Sequence, residues 1–86
     1  MSSIIEIKQQ VNQIGQQANA LAGQLSQLAK NIENNIASVS SAIGGTASGE
    51  DKKMIAAFQR ASQSVETASA SLQAAASAAS AWVSKA

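Results

Sequence analysis

The sequence predicts an all-α protein: two long helices joined by a short turn and folded back on each other as an antiparallel, coiled-coil-like hairpin. Three observations carry this. Apolar residues recur in steps of three and four along nearly the whole chain, no proline interrupts them, and one stretch near the midpoint of the 86 residues breaks the pattern. That stretch, Ile43-Gly44-Gly45-Thr46-Ala47-Ser48-Gly49-Glu50, holds three of the five glycines. Glycine ends a helix in a left-handed conformation at no steric cost, and a serine followed by acids begins the next. A single domain over residues 1–86 follows, with helices at 4–43 and 50–84 and the turn at 44–49.

The first helix opens on Ser3-Ile4-Ile5-Glu6, whose spacing suits a capping box. From Ile4 the large apolar residues run Ile7, Val11, Ile14, Ala18, Leu21, Leu25, Leu28 and Ile32, the alternation of a coiled-coil seam, and then Ile36, Val39 and Ile43. The change of step between Leu28 and Val39 reads as a stutter that relaxes the supercoil before the turn. About 40 residues at 1.5 Å each make a rod of roughly 60 Å. Gly15, Ala22 and Ala29 repeat at heptad spacing beside this seam, with Gly23 nearby, and form a flat flank suited to the close approach of another backbone. The remaining positions are mostly Gln and Asn and read as a neutral, solvated face.

For the second helix, Ser48 is the expected cap and Glu50 and Asp51 the acids that complement the helix dipole. The seam expected there is Met54, Phe58, Ala61, Val65, Ala68, Leu72, Ala75, Ala79 and Trp82. Its alanines are placed to receive the Ile and Leu side chains of the first helix. The turn then sets Ile36 near Phe58, Leu28 near Val65 and Ala68, Leu21 near Leu72, and Trp82 near Val11 and Ile14, closing the open end. The Ala- and Ser-rich tract from Ala68 to Ser80 keeps the heptad register and reads as helix, with fraying at Ser84, Lys85 and Ala86.

Composition excludes several kinds of chemistry. There is no Cys and no His, so disulfides, thiolate or imidazole metal sites and Cys or His catalysis are ruled out. The five acids are scattered, the serines have no base to activate them, and the glycines fit no phosphate-binding spacing. No catalytic residue, cofactor, metal or small-molecule substrate is expected. Six Lys/Arg against five Asp/Glu, spread along the chain, give no cationic stripe for nucleic acid. No apolar run reaches the length of a membrane span, and Met1 to Glu6 lack the basic and apolar segments of a secretory signal.

The helix-turn-helix outline, with Ile43-Gly44-Gly45 at the turn, resembles the WXG-hundred (ESAT-like) family of small helical proteins exported by bacterial type VII secretion systems. The family's turn carries Trp-x-Gly; here Ile43 stands where the family has Trp and the glycine is kept. The family's C-terminal Tyr-x-x-x-Asp/Glu export signal is missing after Trp82. The resemblance therefore implies a divergent, signal-lacking member: a protein secreted without a cleavable signal peptide, or one that assists the export of a partner such as a larger toxin.

Two hairpin helices bury little for 86 residues, each of which loses about 1.5 kcal/mol of conformational freedom on folding. A four-helix bundle is therefore expected, as a homodimer or as a heterodimer with a related hairpin or a toxin's N-terminal helical domain. The expected interface is the flank of Gly15, Ala22 and Ala29 with the off-seam residues Ile55 and Val83. A self-assembling needle- or filament-like subunit and a generic coiled-coil adaptor are the alternatives.

Overall fold

Ser3 opens the first helix in the computed structural model, which describes residues 3–44 and 48–86: its hydroxyl accepts from the Glu6 amide at 3.2 Å. Helix α1 runs from Ile4 to Ile43. Gly44 ends it at φ 61°, a left-handed conformation that favours glycine, and its amide donates back to the Ser40 carbonyl. Gly45, the other half of the predicted stop, lies outside the described residues.

Helix α2 runs from Gly49 to Lys85, one residue longer at each end than the sequence suggests. Ser48 caps it through a complete capping box: its hydroxyl accepts from the Asp51 amide at 3.2 Å, and its own amide donates to the Asp51 carboxylate at 3.0 Å. At the far end the Ala86 amide still bonds to the Trp82 carbonyl, so the final turn is formed.

The two helices pack along their length as an antiparallel hairpin, a rod of 65 × 20 × 16 Å. Its radius of gyration is 19.3 Å, where a globule of this length would have about 12 Å. A rod two helices thick has no interior beyond the line along which they touch.

That line keeps only half of the expected stripe. The buried residues are Ala22 and Ala29 on α1 and Ser62, Ser69 and Ala76 on α2. The seam of α1 reads Gly15, Ala22, Ala29 and Ile36, alternating with the half-buried Val11, Ala18, Leu25 and Ile32. The seam of α2 reads Ile55, Ser62, Ser69, Ala76 and Val83, alternating with Val65, Leu72 and Ala79. Relative to the expected packing, Val11, Ala18, Leu25, Ile32, Val65, Leu72 and Ala79 keep their places and the alternate positions move by one residue, so each helix is turned by about half a residue, close to 50°. Ile14, Leu21 and Leu28, expected in the core, are 63%, 46% and 45% exposed. Ala61, Ala68 and Ala75 are exposed as well, and Trp82, expected to close the open end, is 41% exposed.

The reason is steric. Small residues let two backbones approach more closely than Leu or Ile can, and this chain has a heptad stripe of small residues on each helix. The closeness shows at Gly15, where an added Cβ would sit 3.4 Å from the Ala79 Cβ and 3.8 Å from the Ala76 carbonyl oxygen. The predicted stutter also disappears. Read along Leu25, Ala29, Ile32 and Ile36, the steps alternate without a break, so the irregularity belongs to the large residues alone, which pass from the outside of the hairpin into its seam as they near the turn.

Candidate helical-bundle interface

Seven-residue steps bring Gly15, Ala22 and Ala29 opposite Ala76, Ser69 and Ser62 in turn. The two serines join the backbones across the seam. The Ser69 hydroxyl donates to the Ala22 carbonyl at 2.8 Å, leaving its lone pairs to accept from Ser26, whose Oγ is 2.9 Å away. The Ser62 hydroxyl faces two acceptors, the Ala29 carbonyl oxygen and the Glu33 carboxylate, each at 3.3 Å. A buried hydroxyl is tolerated when it finds an acceptor, and a helix carbonyl has a second lone pair to offer.

This geometry corrects the expected interface. Gly15, Ala22 and Ala29 are not a flank open to another molecule, because α2 already covers them; Ala22 and Ala29 are each 1% exposed in the single chain. Ile55 and Val83, expected off the seam, are half-buried members of it. Of the turn residues, Ile43 ends α1 half-buried and Gly44 supplies the positive φ, while Gly45 lies outside the described residues.

With the small residues inside, the hairpin has two unlike faces. One is polar: its groove near the turn is lined by Glu33, Ser40, Gln59 and Gln63 together with Ile36 and Ala37. Farther along, Asn12, Gln16, Asn19 and Ser80 border the groove over Gly15 and Ala76. The opposite face is apolar. Near the turn it forms a groove lined by Ile32, Ile36, Val39, Met54, Ile55 and Phe58, with Asn35 as its single polar residue.

Beyond that groove the same face carries Ile7, Ile14, Leu21 and Leu28 along α1 and Met54, Ala61, Ala68, Ala75 and Trp82 along α2, each row at heptad spacing. None of these nine residues is charged, although Lys, Arg, Asp and Glu are distributed over the rest of both helices. Met54, Phe58 and Trp82 are 41%, 52% and 41% exposed. Neither helix is long and apolar enough to cross a membrane.

No family model, curated protein or solved structure matches the chain. The face is therefore interpreted from its own chemistry.

Proposed function

We propose that this protein is a non-enzymatic interaction module: a preformed helical rod whose apolar face is completed by another helical hairpin to give a four-helix bundle. The observation that carries the proposal is the size of the side chains left outside. The fully buried residues of the seam are all Ala and Ser, and burying an alanine methyl contributes only a fraction of the ~1.5 to 3 kcal/mol available from a fully buried Leu, Ile or Phe. The residues able to contribute that much, Ile14, Leu21, Leu28, Phe58 and Trp82, remain 41% to 63% exposed until a partner covers them. A contiguous, uncharged stripe of this kind on a soluble surface marks an interaction site, and helices offering apolar residues at heptad spacing dock against other helices.

The resemblance at Ile43-Gly44-Gly45 supports a role in type VII secretion, where such bundles are the exported species. On this reading the chain acts as an export partner, and the assembled bundle is what the secretion machinery engages.

Co-expression with helical-hairpin proteins encoded beside it, followed by purification and sedimentation, tests the reading. The expected result is a complex of defined stoichiometry that is lost when Leu21 and Leu28 are both replaced by Glu. The same double variant is expected to abolish appearance of the partner in the culture medium. Unchanged association and unchanged export in that variant would overturn the proposal.

A further inference from the structure

The partner this face fits best is a second copy of the same chain, laid parallel to the first. The inference rests on the interaction role proposed above and adds the identity and direction of the partner. Its basis is a size match between the two outer rows. The bonds from Ser69 to Ala22 and from Ser62 to Ala29 fix the register of the hairpin, so Ile14, Leu21 and Leu28 on α1 stand level, within about half a turn, with Ala75, Ala68 and Ala61 on α2. At three successive levels a large residue on one helix is matched by an alanine on the other.

Two hairpins stacked face to face can be related by a two-fold axis in either of two directions. An axis along the rod keeps the hairpins parallel and sets α1 of each copy over α2 of the other. Leu21 then lies over Ala68 of the second copy, Leu28 over its Ala61 and Ile14 over its Ala75, and every large side chain meets a small one. An axis across the rod makes the hairpins antiparallel and sets α1 over α1, bringing Leu21 against Leu28 while leaving the two alanine rows face to face. That arrangement combines crowding on one side with a void on the other, and both are unfavourable in a packed core. Because no charged residue lies in either outer row, like charges do not oppose a copy meeting itself.

The available area is sufficient. A compact monomer of 8.7 kDa would expose about 4,700 Å², whereas this rod exposes 6082 Å². The excess, on the order of 1,300 Å², exceeds the roughly 800 Å² per partner of a standard stable interface. From the rows, the area and the absence of charge, we infer that the protein forms a parallel homodimer in which Leu21 and Leu28 of each copy seat on Ala68 and Ala61 of the other.

Single cysteines test this cleanly, because the chain has none of its own. Leu28→Cys protein is mixed with Ala61→Cys protein under a mild oxidant, and Leu21→Cys with Leu28→Cys in parallel. The expected result is a mixed disulfide in the first mixture and little in the second, with unsubstituted protein sedimenting at twice the chain mass. Ala61→Trp, at an exposed position of the hairpin, is expected to give a helical monomer with affinity for itself reduced at least a hundredfold. A preferred disulfide in the second mixture would overturn the parallel arrangement. Unsubstituted protein that stays monomeric at 100 µM (roughly 100-fold above a micromolar Kd) or that polymerises without limit would overturn the homodimer. In either case the interaction role stands if a co-expressed hairpin still binds and Leu21→Glu/Leu28→Glu abolishes the binding, and it falls too if that variant changes nothing.

Discussion

The hydroxyl of Ser69 donates to the carbonyl of Ala22 at 2.8 Å, a side chain of one helix reaching the backbone of the other. Such a bond forms only when nothing larger than a methyl group keeps the helices apart, so it reports the closeness of the seam directly. Ser69→Ala removes the hydrogen bonds to the Ala22 carbonyl and from Ser26 but leaves that carbonyl its helical donor, for an expected loss of about 0.5 to 1.5 kcal/mol per bond. Ser69→Leu forces the helices apart as well and is expected to cost more, by about 1 to 3 kcal/mol or above. Thermal unfolding of the two variants checks the order; a Ser69→Leu protein as stable as the parent would mean that the seam lies elsewhere.

The interior glycines make an opposite pair with Gly44. Gly23 is exposed in the middle of α1, and a Cβ there would meet nothing within 4 Å, so Gly23→Ala is expected to stabilise by up to about 1 kcal/mol through helix propensity. Gly44 also has open space around it but holds φ at +61°, and Gly44→Ala is expected to destabilise by about 1 to 2 kcal/mol. Denaturant midpoints of the two variants, compared with the parent, are expected to move in opposite directions.

At the start of α2, Ser48 and Asp51 satisfy each other's amides, and removal of the cap hydroxyl in Ser48→Ala is expected to cost about 1 kcal/mol. The loss is local. Amide hydrogen exchange is expected to speed up in the first turns of α2 and to stay unchanged around Ser69; uniform acceleration along the rod would contradict a local role.

Trp82 is the chain's single tryptophan, and it lies 41% exposed on the apolar face. Its fluorescence is therefore an internal reporter of coverage. As concentration rises through the association range, emission is expected to shift to shorter wavelength and quenching by iodide to weaken. A spectrum that stays constant while the sedimenting mass doubles would place the interface away from this face.

Much of the fold was legible in the sequence for identifiable reasons. The absence of proline, the period of the apolar residues, Ser3, Gly44 and Ser48 act through local backbone preferences, so they located the helices to within about a residue. The axial register was legible too, because a short turn leaves little freedom: Ile36 and Phe58, expected to be neighbours, line one groove. The rotation of each helix was not. Apolar periodicity points to the stripe of greatest hydrophobicity, here Ile14, Leu21 and Leu28, and assigns it to the nearest partner. It gives no weight to Ser62 and Ser69, which count as polar until a carbonyl is found to receive their hydroxyls. The signal that was present is the second heptad stripe, Gly15, Ala22 and Ala29, matched on α2 by Ser62, Ser69 and Ala76. On α1 two adjacent stripes, one small and one large, compete for the same neighbour, and close packing assigns the small one to the hairpin.

The central claim is that the stripe of small residues is the buried line of the hairpin while Ile14, Leu21 and Leu28 lie on its open face. Circular dichroism at low micromolar concentration, recorded with temperature on two double variants, tests this most directly. Ala22→Glu/Ala29→Glu places carboxylates in the buried seam, and Leu21→Glu/Leu28→Glu places them one residue away on the open face. The account predicts that the first variant loses its cooperative helical transition and that the second remains a folded helical hairpin, weakened only in association. A folded Ala22→Glu/Ala29→Glu protein beside an unfolded Leu21→Glu/Leu28→Glu protein would contradict it.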